Sequence, residues 1–285
     1  PEELKLELAD KWIYSRLNQV IAEVEENYEK LRFNDSASIL MDFVWKEFCS
    51  WYLELSKDRI YSDDSEAQKT AKYVLLDVLQ TSMRLLSPIM PFISEEIWQN
   101  IKTHFPMDED ALVIAKFPES NKELIDMKIA EEMGMIQEAI SAIRNLRKQV
   151  NLSPALEINA FIKVANEAQI KLFEDYSNYF LKLSKVSDIN IAIEMEKPKA
   201  SIAAVVQNIE IFLPLAGLID LDAEREKLNK QIVKVEKEVK RVNGKLNNER
   251  FISKAPEAVI NKEKAIYEEV KTKLDKLVNI LNGLS

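Results

Sequence analysis

Apolar residues recur every three or four positions through the first half of the chain, and this spacing predicts a bundle of amphipathic helices. Between 8 and 31 the positions Ala9, Trp12, Ile13, Leu17, Val20, Ile21, Val24, Tyr28 and Leu31 form one stripe, with Glu23, Glu25, Glu26 and Lys30 on the solvent side. Arg16 falls on the edge of that stripe, where its stem can pack while its head stays wet. The stretch 31–55, LRFNDSASILMDFVWKEFCSWYLEL, is apolar on more than one face, with a cap expected at Asn34 or Asp35. It is therefore expected to be the central helix, wrapped by the others. A third helix is expected from about 66 to 86, ending at Ser87-Pro88 because a residue before proline avoids the helical region. A short fourth helix is expected to start at Ser94 with Glu95 and Glu96, and a fifth to run from about 121 to 150 with Gly134 as a candidate bend.

Beyond Pro154 the period falls to two. Leu156, Ile158, Ala160, Ile162 and Val164 alternate with Glu157, Asn159, Phe161 and Lys163, which predicts a strand. A helix from about 166 to 183, an alternation at Ile189, Ile191 and Ile193, and a strand pair 201–206 and 209–213 turning at Gln207-Asn208 complete a small α+β module. From 218 the spacing becomes that of a coiled-coil seam: Leu218, Leu221, Leu228, Ile232, Val235, Val239, Val242 and Leu246, with Arg225 as the polar intruder. Ile260, Tyr267, Val270, Leu274, Leu277, Leu281 and Leu284 repeat the seam after a break at Ala255-Pro256, so the two limbs are expected to fold back antiparallel. The fold class is mainly α, in three parts: a helical bundle over 1–150, an α+β connector over 151–217 and an antiparallel coiled-coil hairpin over 218–285.

Charge sharpens this picture. The 285 residues carry a net charge of -9, which would ordinarily disfavour a polyanionic partner. Between Arg225 and Lys254, however, ten Lys and Arg face four Glu, a local +6 that leaves -15 for the remainder, whereas the return limb over 257–276 sums to zero. With a screening length of about 8 to 10 Å, a ligand at the outgoing limb feels the local field. A solvated Lys/Glu coiled coil and a polyanion lying along one side are both open readings of this imbalance. The basic turn Arg144, Arg147, Lys148 likewise fits either cations placed at a helix carboxyl end or a polyanion contact.

Catalytic chemistry is nearly missing. His104, the one histidine, lies beside a proline-bounded loop with no nearby Ser or Cys nucleophile for a His-based triad; with Cys49 the one cysteine no Cys- or His-rich metal site can be assembled, and Cys49 reads as a small packed residue. There is no glycine-rich phosphate loop, and Glu95 and Glu96 diverge on a helix. No apolar run reaches the roughly 18 residues a membrane span needs. Without an export signal and with one thiol, the expected location is cytoplasmic, as a soluble monomer with no membrane partner. The chain begins without methionine inside an expected helix, so a piece of a longer protein is expected.

The segments LADKWIYSRLNQVI, RFNDSASILMDFVWKEFCSWYLELSK and SPIMPFISEEIWQNI resemble the anticodon-binding domain of the valyl, isoleucyl and leucyl group of class I aminoacyl-tRNA synthetases. The likeness continues through AIRNLRKQVNLSPA. AVVQNIEIFLPLAGLIDLDAEREKLNKQI and FISKAPEAVINKEKAIYEE are similar to the coiled-coil arm of the valyl family. The isoleucyl family commonly ends in a cysteine-bound zinc module, which one cysteine cannot build. The resemblance implies a piece that grips valine tRNA while an amino-terminal part, with its editing domain, uses ATP and Mg to carry out aminoacylation. No cofactor or metal is implied for this piece, and it should be catalytically silent. It also implies an anticodon surface, for which Trp12, Arg16, Arg32, Phe33 and Asn34 offer aromatic and guanidinium planes. Taken singly, Trp12 and Phe33 fit a core better than a stacking platform. For the tRNA backbone the candidates are Arg144, Arg147, Lys148, Lys230, Lys234, Lys237, Arg241, Lys245, Arg250 and Lys254. Lys182-Leu183-Ser184-Lys185-Val186 resembles the Lys-Met-Ser-Lys-Ser loop of class I synthetases, but no nucleotide-binding sheet surrounds it and it reads as a chance match. A structural protein whose hairpin binds another coiled coil stays open as the competing reading, as does the equivalent part of an isoleucyl or leucyl enzyme.

Overall fold

The computed structural model describes residues 4–107, 109–218, 220–248 and 256–283, apart from the side chain of Glu224. The chain divides into two compact units, 1–137 and 138–285, with the division inside one long helix.

The first unit is helical. α1 (Leu8–Glu29) buries Ile13, Leu17, Val20 and Val24, as its stripe predicts. The second stretch departs from expectation. Its helix α2 (Phe33–Asp42) begins at Phe33 with no side-chain cap, so neither Asn34 nor Asp35 serves as one. It runs into a ten-residue π-helical segment, Phe43–Tyr52, and on into α3 (Leu53–Ile60). The wider π turn lets Phe43 and Phe48, five residues apart, both be buried, after which Tyr52 and Leu55 follow at helical spacing. Met41 and Trp45, each 70% exposed, show that this helix is not wrapped on all sides. Cys49 is half-buried, and burial pushes its thiol up from the ordinary value.

α4 (Ser65–Leu86) starts where Asp64 accepts from the backbone N–H groups of Glu66 and Ala67. α5 (Pro91–Lys102) begins with proline at its first turn and not at Ser94, whose hydroxyl instead donates to the Met90 carbonyl at 2.7 Å. Glu95 has a different task from dipole compensation: its carboxylate accepts from the Leu112 N–H at 2.8 Å and fastens the crossing segment to α5. That segment closes a second apolar cluster of Met83, Trp98, Ile101 and Leu112. α6 (Met127–Gln149) starts later than expected because Asp126 caps the N–H groups of Lys128 and Ile129.

The second unit continues α6 into the α+β module. The expected single helix after β1 (Ile158–Lys163) is two, α7 (Glu167–Asp175) and α8 (Ser177–Ser184), divided at Tyr176. β2 (Val186–Ala192), β3 (Ser201–Val206) and β4 (Ile209–Pro214) complete a sheet in the order β2-β1-β4-β3, with β1 and β2 parallel and the other pairs antiparallel. Along β1 the buried residues are Ile158, Ala160 and Ile162, the face expected from the alternation. α9 (Leu221–Leu246) and α10 (Glu257–Gly283) are the two limbs of the hairpin. Their antiparallel pairing is seen at Lys245, near the end of α9, whose ammonium lies 2.8 Å from Glu263 near the start of α10. Leu228, Ile232, Val235, Val242 and Val270 are buried in the seam.

Candidate nucleic-acid interface

Two exposed surfaces take up the candidates. The first is built by the chain reversal between α1 and α2. Leu31 adopts φ 57, the Leu31 N–H donates to the Tyr28 carbonyl at 3.0 Å, and the Arg32 N–H donates to the Asn27 carbonyl at 2.8 Å. This is a Schellman helix ending with leucine where glycine is usual, a backbone conformation that costs about 1 kcal/mol or more. It turns Arg32, Phe33 and Asn34 outward, and together with Leu31 and Asp35 they line a shallow recess of about 290 Å³. Phe33 is 53% exposed; one side of its ring meets Tyr28 at 5.7 Å between centroids, and Tyr28 in turn meets Phe117 at 5.9 Å. The half-open ring is thus held from behind and offered to solvent. The Arg32 guanidinium reaches only 4.0 Å from Asp35, an exposed pair of little worth.

Trp12 and Arg16 do not join this surface. Trp12 is 4% exposed and belongs to the core. Arg16 donates through Nε and Nη2 to the two carboxylate oxygens of Glu47, at 2.7 and 2.9 Å, and its Nη1 donates to Gln19. The Glu47 hydrogen bonds raise Arg16 above the ordinary guanidinium value, against the lowering effect of burial. At 1.5 Å per residue, Arg16 also lies about 20 Å along the α1 axis from the carboxyl end of that helix, where the chain reverses toward Arg32. Tyr28, read from the sequence only as a stripe residue, is the support that the stripe concealed.

The second surface is on α9. Lys227, Lys230, Lys234, Lys237 and Arg241 follow spacings of three, four, three and four residues, so they form one row turned away from the seam. All are exposed, and the row rises about 21 Å along the helix. Lys230 pairs with Glu226 at 2.6 Å and Arg241 approaches Glu238 at 3.9 Å, both solvent-exposed contacts within α9. Among the described residues, Lys234 and Lys237 enter no ion pair. Lys245 leaves the row, being clasped to Glu263 of the return limb. Arg250 and Lys254 lie outside the described residues. Lys227, counted among the cations of this limb but not singled out, belongs to the row by the same spacing.

The basic turn at the end of α6 divides by role. Arg147 is buried, and its guanidinium donates to the carbonyls of Lys185, Ser153 and Leu156 at 2.9, 3.0 and 2.6 Å. Burial lowers its affinity for the proton. It is a staple between α6 and the segments around it, not a residue presented to a ligand. Arg144 and Lys148 are exposed, and Arg144 Nε donates to the Leu183 carbonyl at 2.5 Å. Among the described residues no group of three or more His, Cys, Asp or Glu is arranged to hold a metal ion, and no helix is long and apolar enough to cross a membrane.

Residues 10–164, more than half of the chain, match the family described as anticodon-binding domain of tRNA ligase. The chain belongs to this family. Within the anticodon-binding unit so defined fall the reversal at 31–35, the Arg16–Glu47 pair and the basic turn of α6. Residues 220–285 match a second family, described as valyl tRNA synthetase tRNA binding arm, which takes in both limbs of the hairpin and the α9 row. A valine-tRNA ligase of Listeria innocua serovar 6a is 41% identical over 278 residues, covering 98% of this chain. One of Fusobacterium nucleatum is 36% identical over 283 residues, and one of Geobacter sulfurreducens 38% over 284. The chain spans 31% of the length of the first of these relatives and 32% of the other two.

Proposed function

We propose that this chain is the tRNA-gripping part of a valine-tRNA ligase, with the hairpin laid against the outer corner of valine tRNA and the 31–35 surface receiving its anticodon. The observation that carries the reading is the row on α9. Its cations share one flank of a limb that matches a tRNA-binding arm, and they are long enough to follow phosphates without reading bases. At the other surface, unstacked bases need a ring or a guanidinium plane and amide partners, and Phe33, Arg32 and Asn34 supply these side by side. Aminoacylation, with ATP and Mg, belongs in this reading to the portion that the relatives have beyond the length matched here. The resulting enzyme is read as a cytoplasmic monomer.

The test is a titration of the chain with valine tRNA at several salt concentrations. Binding should weaken steeply as salt rises, because each neutralised phosphate releases counterions, and Lys234→Glu with Lys237→Glu and Arg241→Glu should flatten that dependence by about two to three units of slope. Absence of binding at low salt, or a slope that the triple substitution leaves unchanged, would reject the reading and favour a protein partner for the hairpin.

A further inference from the structure

Away from the α9 row, the carboxyl ends of α6 and α8 converge within the second unit on a recess of about 440 Å³, a size suited to a nucleotide. Both ends are built the same way. Asn151, at φ 49, closes α6 with the Leu152 N–H donating to the Arg147 carbonyl, and Lys185, at φ 54, closes α8. Helix carboxyl ends repel anions, since their last carbonyls point outward. Here Arg144 binds the Leu183 carbonyl in the last turn of α8 and Arg147 binds those of Lys185, Ser153 and Leu156 around the recess, so two guanidinium groups offset the carbonyl dipoles there.

What remains at the mouth is positive. Lys148 and Lys185 are exposed on the rim beside Arg144, no carboxylate lines the recess in a chain of net charge -9, and neither lysine enters an ion pair among the described residues. The lining also carries an apolar patch, Leu152, Pro154 and Leu183, next to the buried Arg147 and Ser184. An apolar patch beside exposed cations fits a planar base attached to a phosphate. Leu183, Ser184 and Lys185, at the end of α8, form one wall of this recess.

We propose that the recess receives one unstacked nucleotide of the bound RNA, its base on Leu152, Pro154 and Leu183 and its phosphate at Lys148 and Lys185. The inference rests on the tRNA-binding reading and adds a contact separate from both the α9 row and the 31–35 surface. Its energetic logic is that of single-strand recognition, in which an apolar or aromatic floor takes the base and cations hold the backbone.

The experiment compares the wild-type chain, Lys148→Gln with Lys185→Gln, and Lys234→Gln with Lys237→Gln, each titrated with valine tRNA and probed by chemical reactivity of the RNA 2′-hydroxyls. Both lysines of the recess are exposed, and thermal melting of each variant is the control for folding. The recess variant should bind about tenfold more weakly, lose about one unit of salt slope, and restore solution reactivity at one nucleotide that the α9 variant leaves protected. If the wild type binds tRNA and the recess variant matches it in slope and footprint, the recess contact is overturned while the tRNA reading stands. If the wild type binds no tRNA, both fall. Saturable binding of free ATP or inorganic phosphate that Lys148→Gln with Lys185→Gln abolishes, without any change in the RNA footprint, would assign the recess to a free nucleotide or phosphate and overturn the RNA assignment.

Discussion

The Arg59 guanidinium meets the Asp10 carboxylate at two points, Nη1 to Oδ2 at 2.6 Å and Nη2 to Oδ1 at 2.7 Å, with Asp10 fully buried. Tyr52 donates its hydroxyl to the same carboxylate at 2.8 Å and the Glu7 N–H donates at 2.9 Å. One aspartate thus joins the start of α1, the end of the π segment and α3. Burial alone would lower the Arg59 proton affinity, but the Asp10 hydrogen bonds and charge more than reverse this, and the guanidinium is held above its ordinary value. The sign places any resulting loss of stability only above the ordinary arginine range, so the pair stays intact through neutral and moderately alkaline pH. Asp10→Asn should destabilise the first unit by up to about 3 kcal/mol, because it leaves the buried Arg59 with only the half-exposed Glu7 carboxylate, 3.4 Å from its Nε. Asp10→Leu combined with Arg59→Met should lose markedly less in urea unfolding. A double variant as unstable as the single would show that packing, not charge, decides the site.

Trp12 and Phe33 were offered by the sequence as equivalent aromatic platforms, yet one is 4% exposed and the other 53%. They should therefore separate in experiment. Trp12→Ala opens a core cavity and should cost about 3 to 5 kcal/mol of unfolding free energy. Phe33→Ala should change stability by less than about 1 kcal/mol, yet weaken binding of valine tRNA more than of a tRNA with another anticodon. Equal losses for the two tRNAs would remove Phe33 from anticodon recognition.

The contrast marks how far the pattern of residues could be followed. Where burial is one-sided and the period regular, the reading reached the right face: the Ile158, Ala160, Ile162 alternation and the Leu228 to Val242 seam both point inward as expected. It failed where a local change of pitch or a distant partner intervened. The π segment shifts the phase between Phe43 and Phe48, so a wheel drawn at constant pitch could not bring both onto one buried face. Arg147 looked like Arg144 and Lys148 until the chain brought the carbonyls of Ser153, Leu156 and Lys185 around it. Lys245 looked like Lys237 because nothing in the outgoing limb alone reveals Glu263 of the return limb. Cations declare their number in a sequence, but their availability depends on tertiary neighbours.

That difference between Lys237 and Lys245 is measurable. Lys237 sits in the exposed row without an ion pair among the described residues, whereas Lys245 bridges the limbs. Lys237→Gln should lower the salt slope of tRNA binding by about one unit with no shift in melting. Lys245→Gln should leave the slope nearly unchanged and destabilise the hairpin tip by up to about 1 kcal/mol, the range for a partly exposed pair. Faster amide exchange near Glu263 in the second variant alone would confirm the division, and identical effects of the two substitutions on the slope would refute it.

Two glycines of the hairpin should respond to alanine with opposite signs. A Cβ on Gly244 would meet nothing within 4 Å, and the residue lies inside α9, where glycine is less favourable than alanine. Gly244→Ala should therefore stabilise the hairpin by about 0.5 to 1 kcal/mol. At Gly283 the same atom would stand 2.7 Å from the Ser201 carbonyl and 3.6 Å from the Ile202 Cα, both backbone atoms of β3 that cannot rotate aside. The end of α10 is seated on the edge strand of the sheet because no side chain intervenes. Gly283→Ala should lift that end, costing about 1 to 3 kcal/mol, and should raise amide exchange in β3 while leaving the 1–137 unit unchanged. If Gly283→Ala melts and exchanges like the wild type, the close seating of α10 on β3 does not hold the base of the hairpin.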